Sequence, residues 1–315
     1  YFQVARCFRD EDLRADRQPE FTQLDVEMSF VTQEDILHLM EALVVDVVTQ
    51  ARPDMRVTTP FLRLTYDEAM ARYGTDKTDL RFGLELADLS DMVAGSEFRV
   101  FAGTVAEGGQ VKGIALPGCA EYSRRQVDEL ASFVAQYGAK GLATIALRTE
   151  GLRSSLSRFF SEEKLLALAD RAGAQPGDLV AIVADTPKVV AASLGALRGE
   201  MGRRLDLADP DMLAMAWVVD FPLFEWNEDV ERWDAVHHPF QTTLGYGDNR
   251  ITYRAEENFF NPYLFGTMHE GGHAMYEQGV VKELALTPLY GGTSLAIHES
   301  QSRMYENLVG RSLAF

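Results

Sequence analysis

Histidines and carboxylates towards the carboxyl end of this chain have the types and spacing of a metal site. His269, Glu270 and His273 form a His-Glu-x-x-His pattern, with the two histidines four residues apart. On a helix, residues at i and i+4 share one face, so both imidazoles can bind one cation. Glu270 would lie beside the metal and accept a proton from its bound water. The pattern predicts zinc-dependent hydrolysis with Glu270 as the catalytic base.

A catalytic zinc ion takes three protein ligands and keeps a fourth position for water. Glu299, in the string His298-Glu299-Ser300-Gln301-Ser302 on the next predicted helix, completes the Zn²⁺ ligand set begun by the two histidines. His298 is an alternative ligand, although a supporting role is favoured for it. A His-Glu-x-x-His pattern also arises by chance, and Gly271 and Gly272 weaken the helix that would carry it.

A charged segment at the other end of the chain has the composition of a nucleotide site. Two predicted strands, 1–9 and 21–31, flank a loop of mixed arginines and carboxylates that begins with Arg9, Asp10 and Glu11. The planar guanidinium of arginine makes bidentate hydrogen bonds to phosphate, and carboxylates can hold Mg²⁺. The alternative for any charged hairpin of this kind is a solvated loop with surface ion pairs.

Capping and periodicity signals predict the elements that position these residues. Thr32 and Thr65 each precede an acidic residue by three positions, which predicts two capped helix starts, and Gly74 should end the second helix. From about 95 to 205, strands are expected to alternate with helices. Strands are predicted over 98–105, 111–116, 142–147, 177–185, 214–226 and 249–254, and helices after Ser123, Ser161 and Thr186 and over 259–278 and 293–313.

The composition is that of an ordinary folded protein. The 315 residues carry a net charge of −18, which disfavours nonspecific binding to nucleic acid. Two cysteines without ligand spacing fit a reducing, cytoplasmic location. No apolar run approaches the ~20 residues that cross a bilayer, so no membrane association is expected. The chain opens with Tyr1 in what reads as the middle of a strand, and we expect its true start to be missing.

The charged hairpin and the block that follows resemble one ligase family. Phe2-Gln3-Val4-Ala5-Arg6-Cys7-Phe8-Arg9 and Gln23-Leu24-Asp25-Val26-Glu27-Met28-Ser29-Phe30 resemble the second signature motif of bacterial aspartyl-tRNA synthetases, which are class II ligases. The block over 95–205 is similar to the module inserted in the bacterial enzymes. The resemblance also includes Gly138-Ala139-Lys140-Gly141-Leu142, Asp220-Phe221-Pro222-Leu223-Phe224 and His237-His238-Pro239-Phe240.

This resemblance implies ATP-dependent activation of L-aspartate and its transfer to tRNA. Arg9 would contact the α-phosphate of ATP and the carboxylate of aspartate. Asp10 and Glu11 would line the site for ATP and Mg²⁺, and Gln18 would lie against the adenine. His237, preferred over its neighbour in the histidine pair, would contact the amino acid. The resemblance also admits a homodimer.

Parts of that family's pattern are not found in this sequence. The first motif and the anticodon-binding barrel would lie upstream of Tyr1. The third motif, with a second ATP-binding arginine, would follow the His-His-Pro-Phe string. Because preorganised charges stabilise the transferring phosphoryl group, we expect the chain to have no useful ligase activity without that arginine.

The last segment resembles a different family. Three strings besides the zinc pattern resemble the carboxypeptidase Taq family of zinc carboxypeptidases: His238-Pro239-Phe240, Asp248-Asn249-Arg250-Ile251-Thr252, and the run from Glu299 to Arg311. This resemblance implies that His269, His273 and Glu299 bind zinc, that Glu270 is the general base, and that peptide C-termini are the substrates.

The sequence therefore predicts an α+β chain of two origins: a partial class II synthetase antiparallel sheet with an inserted α/β module, followed by a mainly helical zinc-site segment. Residues 1–94 and 206–240 would form the partial catalytic domain, 95–205 the inserted module, and 241–315 the partial zinc carboxypeptidase segment. The tripeptide His-Pro-Phe, common to both families, is the predicted junction. Recombination, misassembly of the sequence and deliberate fusion all stay open as its origin. A ligase-derived chain, a zinc metallocarboxypeptidase and a non-catalytic chimeric fragment stay open as functions.

Overall fold

A computed structural model describes residues 1–9, 18–227, 231–236, 241–245, 248–251, 260–284, 291 and 295–312. The chain forms two compact units, Tyr1–Asp220 and Phe221–Phe315. Helices and strands both contribute to the described residues, so the predicted mixture of helix and antiparallel sheet is confirmed. None of the described helices combines the length and the hydrophobicity of a membrane-spanning segment.

The first unit opens with the predicted hairpin. Strand β1 (Phe2–Phe8) pairs antiparallel with β2 (Glu20–Val26), and the Arg9 N–H donates to the Pro19 carbonyl at 2.9 Å just beyond the paired strands. Strand β2 ends earlier than the predicted residue 31. Phe30 has a φ of 58°, which lies in the left-handed region and cannot continue an extended strand.

Two capped helices follow the hairpin as predicted. In both, a threonine hydroxyl accepts from the backbone N–H three residues on, and the acidic side chain there accepts from the threonine N–H, which satisfies two otherwise unpaired donors. Gly74 ends the second helix at a φ of 72°. The elements of this part are α1 (Gln33–Ala51), β3 (Arg56–Val57), β4 (Leu62–Thr65) and α2 (Tyr66–Tyr73).

The next block forms a five-stranded sheet with the strand order β5-β6-β9-β7-β8, and every neighbouring pair is antiparallel. The predicted alternation of helices and strands is present here, but it yields an antiparallel sheet that begins before position 95. The elements are β5 (Leu86–Asp88), α3 (Ser90–Val93), α4 (Arg99–Ala106), β6 (Gln110–Leu116), α5 (Arg124–Ala135), β7 (Ala143–Arg148), β8 (Gly151–Ser154), α6 (Glu162–Arg171), β9 (Leu179–Asp185) and α7 (Pro187–Arg204).

Strand β9 carries the core of this sheet because both of its faces are buried. Leu179, Ala181 and Val183 point to a cluster that includes residues of α5 and α7, whereas Val180 and Ile182 point to a second cluster that includes residues of α4 and α6. Successive strand side chains alternate between faces, so one apolar strand serves two apolar layers.

The strand predicted over 98–105 is wrong, because helix α4 occupies this segment. Phe98, Phe101 and Val105 all pack into one apolar cluster. Their spacing of three and four residues is the helical period, and helix formation brings all three onto one face. The helices predicted after Ser123, Ser161 and Thr186 are confirmed.

The long strand predicted over 214–226 is divided into two. The first unit closes with β10 (Met212–Leu213) parallel to β3 and β11 (Ala216–Val219) parallel to β4. Asp220 has a φ of 55°, which ends the extended conformation. The second unit then begins, and its first strand, β12, covers Phe224–Asn227.

The described part of the second unit contains two hairpins, two α-helices and a short 3₁₀ helix, Lys282–Leu284. Strand β12 pairs antiparallel with β13 (Arg232–Ala235), and β14 (Gln241–Gly245) pairs antiparallel with β15 (Asp248–Ile251). Helix α8 (Phe260–Gln278) confirms the helix predicted over 259–278. Helix α9 (Leu295–Arg303) continues as a π-helical segment, Met304–Val309, and together these account for most of the helix predicted over 293–313.

Candidate metal centre

The three predicted zinc ligands come together in the second unit. His269 and His273 lie one turn apart on α8, and Glu299 lies on α9. The Nε2 atoms of the two imidazoles lie 3.7 and 3.5 Å from Glu299 Oε2, and one ligand atom from each side chain lies within 4.8 Å of the others. Two imidazole nitrogens and one carboxylate oxygen are the donor set of a catalytic zinc site, so these residues fit that ion.

A close approach of the two helices makes this convergence possible. A Cβ on Gly272 would lie 2.7 Å from the Ser302 Cα and 3.0 Å from the Gln301 carbonyl oxygen, so only glycine allows this separation. A Cβ on Gly271 would meet nothing within 4 Å. Ser302 is fully buried at the crossing, where its hydroxyl donates to the Glu299 carbonyl at 2.7 Å. The glycine that costs helix propensity is thus also the one that admits α9.

The imidazoles turn their second nitrogens away from Glu299. His269 Nδ1 lies 3.0 Å from Glu306 Oε2, and His273 Nδ1 lies 2.5 Å from His298 Nδ1. Burial, followed by the nearby His298 and His269, lowers the pKa of His273. Its imidazole is therefore neutral at neutral pH, which is the form that coordinates a metal.

The two carboxylate oxygens of Glu299 face different partners. Oε1 accepts from Arg303 Nε at 2.9 Å, while Oε2 faces the imidazoles. Arg303 lies four residues after Glu299 on the same helix face. An arginine on one oxygen fixes the carboxylate so that the other oxygen points to the site.

Two glutamates near the ligand set were not among the predicted site residues, although their spacing in the sequence could have identified them. Glu277 lies four residues after His273, and Glu306 lies seven residues after Glu299, spacings that return to the same helix face. Glu270 follows His269 on α8 and is half-buried. Its role as the base stays a prediction.

The predicted ATP-site residues are described only in part. Arg9 lies just after β1, with its guanidinium carbon 5.6 Å from the centroid of the Phe21 ring, and Gln18 lies on the returning side of the hairpin. Both residues are exposed. Asp10, Glu11 and His237 lie outside the described residues, so their predicted roles stay predictions.

Two protein families match different but overlapping parts of the chain. Residues 1–261 match the family of class II tRNA synthetases (D, K and N). Because this match covers most of the sequence, the chain belongs to that family. Residues 219–315 match the carboxypeptidase Taq (M32) metallopeptidases. The double resemblance predicted from the sequence is confirmed, and the two matches overlap over 219–261.

Curated relatives narrow the synthetase part to one kind of ligase. The chain is 51% identical over 312 residues to an aspartate–tRNA(Asp/Asn) ligase of Symbiobacterium thermophilum, covering 98% of this chain and 50% of that protein. It is 57% identical over 240 residues to that of Moorella thermoacetica, covering 76% and 40%. The chain thus spans half or less of the length of these relatives.

A solved structure is similar in sequence to one segment of this chain. The M32 carboxypeptidase of Deinococcus radiodurans R1 is 58% identical over a segment that covers 24% of this chain and 15% of that one. The TM-score of 0.24 supports no argument about a common fold.

Proposed function

We propose that this chain derives from an aspartate–tRNA ligase, an enzyme that uses ATP to activate L-aspartate and then transfers it to tRNA. The observation that carries the proposal is the identity of 51–57% to curated ligases of that name. The inserted module over 95–205 belongs to the same proposal.

Arg9 is the described residue with the central role in this proposal. It would contact the α-phosphate and the aspartate carboxylate, because a guanidinium forms bidentate hydrogen bonds to either anion. Backbone pairing to Pro19 and the ring of Phe21 hold it at the end of the hairpin. Gln18 would contact the adenine, Asp10 and Glu11 would line the ATP and Mg²⁺ site, and His237 would contact aspartate.

The test is aspartate-dependent exchange of pyrophosphate into ATP. We expect the chain to exchange at the background rate of an Arg9→Ala variant, because the sequence offers no third-motif arginine to stabilise the triphosphate. Exchange at a rate near that of a full-length ligase, abolished in Arg9→Ala, would contradict the expected inactivity while supporting the site.

A second candidate function is zinc-dependent removal of C-terminal residues from peptides, which the convergence of His269, His273 and Glu299 favours. Bound zinc would polarise the scissile carbonyl and lower the pKa of its water. Glu270 would accept the proton of that water. Arg303 would hold Glu299 in place through the carboxylate oxygen that does not face the imidazoles.

Metal analysis of the dialysed protein tests this candidate without depending on catalysis. We expect close to one equivalent of zinc in the parent chain and none in Glu299→Ala. Equal zinc in the two proteins, or none in the parent, would contradict it. Release of C-terminal residues, a homodimer and a cytoplasmic location stay predictions, which peptide assays, light scattering and localisation of the tagged chain would check.

A further inference from the structure

We propose that two carboxylates outside the ligand set position the zinc-binding imidazoles: Glu306 acts directly on His269, and Glu277 acts on His273 through His298. The proposal rests on the zinc site proposed above. It assigns these three residues to orienting the ligands and leaves contact with substrate to others.

Glu306 acts on His269 through one hydrogen bond, which we call the direct arm. Glu306 Oε2 lies 3.0 Å from His269 Nδ1, and its side chain is mostly buried. Arg303 and Arg311 each place a guanidinium nitrogen 3.4 Å from one of its oxygens, so cations balance its negative charge. An ionised carboxylate only accepts, so a neutral His269 carries its ring proton on Nδ1. The lone pair of Nε2 is left facing Glu299 Oε2.

Glu277 acts on His273 through the imidazole of His298, and we call this connection the indirect arm. His298 Nε2 lies 2.9 Å from Oε1 of Glu277, a residue that is only 8% exposed. The carboxylate accepts, so a neutral His298 carries its proton on Nε2 and has a lone pair on Nδ1. That lone pair faces His273 Nδ1 at 2.5 Å, which places the proton of His273 on Nδ1. His273 Nε2 then also presents a lone pair to the site.

Both arms therefore select the same tautomer and direct two lone pairs to the carboxylate oxygen of Glu299. His298 has both ring nitrogens engaged, by His273 and by Glu277, so it supports the site and is not itself a ligand. The ring of Tyr276 meets the His298 ring edge to face at 5.3 Å and restricts its rotation.

The test measures zinc affinity of the full chain by competition with a chromogenic chelator. His298→Phe keeps the ring volume and removes the acceptor nitrogen, whereas His298→Asn keeps an acceptor oxygen near the position of Nδ1. Glu306→Leu and Glu306→Gln form the equivalent pair for the direct arm. We expect the Phe and Leu variants to bind zinc ~10- to 100-fold more weakly than the parent, and the Asn and Gln variants to lose only a few-fold. Gln278→Ala, an exposed change on α8, the helix that carries both zinc-binding histidines, should bind like the parent.

Two further readouts separate positioning from general stability. The visible absorption of bound Co²⁺ should change in His298→Phe and stay parent-like in Gln278→Ala, since the band reports ligand geometry. Circular dichroism at saturating zinc shows whether each variant folds, and the two pairs test the arms independently if one variant does not. Parent-like zinc affinity and Co²⁺ spectra in the Phe and Leu variants would overturn this proposal alone. A parent chain that binds no zinc would overturn the proposed site and this inference together.

Discussion

The sheet of residues 86–185 and the helix pair α8–α9 are held together by different forces. Strand β9 is packed between two apolar clusters, whereas the crossing of α8 and α9 brings together imidazoles, carboxylates and a buried serine. Apolar burial stabilises a fold without any ligand. Polar groups that are partly withdrawn from water are stable only when each has a partner. The sheet should therefore fold by itself in solution conditions that strip metals, and the helix pair should depend on a cation.

Substitution of Arg198 is expected to have the largest effect on the stability of the sheet region. It is 2% exposed, and its guanidinium donates to the backbone carbonyls of Asp79, Phe82, Gly83 and Leu84 and stacks on Phe82. Arg198→Met would leave these carbonyls without their donor, so we expect a loss of ~3–5 kcal/mol in the free energy of unfolding. Urea unfolding measures it, with the exposed Arg203→Met as the control. Unchanged stability would show that water replaces the guanidinium.

Substitution of Gly272 is expected to have the largest effect on zinc binding by the helix pair. In Gly272→Val the side chain would meet the backbone at Ser302 and push α9 away, so we expect zinc affinity to fall by at least ~10-fold, as for other losses of ligand support. Gly271→Ala, one residue earlier and in open space, should keep the affinity and stabilise the helix by ~0.5–1 kcal/mol. Isothermal titration of both variants with zinc distinguishes them. Parent-like affinity in Gly272→Val would contradict the close crossing.

The helix pair shows how much of a candidate site can be predicted from sequence alone. The two histidines of the ligand set were predictable because a spacing of four residues is a local property of one helix, and the capped helix starts were predictable for the same reason. Glu299, on another helix, was predicted from its sequence string and the resemblance to the zinc carboxypeptidases. Gly272 was interpreted only as a weak point of its helix, since its contact with Ser302 is between two segments. Glu306 and Glu277 were given no role for the same reason, because their contacts with His269 and His298 also join two segments.

The sheet gives the same lesson about non-local structure. Its antiparallel order could not be predicted, because it pairs strands that are far apart in sequence, such as β6 with β9. The segment over 98–105 was assigned to the wrong element because a short apolar run fits a strand and a buried helix equally. Only the packing of Phe101 against Phe160 and its neighbours decides between them.

A smaller effect is expected at the start of α5. The Ser123 hydroxyl accepts from the Gln126 N–H, and the Gln126 side chain accepts from the Ser123 N–H. Ser123→Ala should cost ~1 kcal/mol of unfolding free energy and leave zinc affinity unchanged. Urea unfolding and zinc titration of the same preparation check both halves of this expectation. A change in zinc affinity would show that the sheet region and the helix pair are coupled.

The last prediction is that zinc has no effect on the rate at which Cys119 reacts with a thiol reagent. Burial raises the pKa of this thiol, and it has no exposed surface, so it should react with a thiol reagent only when the sheet region opens. The helix pair contains no cysteine. Chelating zinc should therefore leave the reaction rate at Cys119 unchanged. Mass spectrometry of labelled peptides measures it, and faster labelling after chelation would contradict independent stability.

Amide hydrogen exchange with and without zinc tests the contrast between the two regions most directly. We predict that zinc slows exchange along α8 and α9 and leaves the rates in β6 and β9 unchanged, because only the helix pair gains partners from the ion. Identical exchange along α8 and α9 in the presence and absence of zinc would contradict the account. So would equal protection of the sheet strands by the ion.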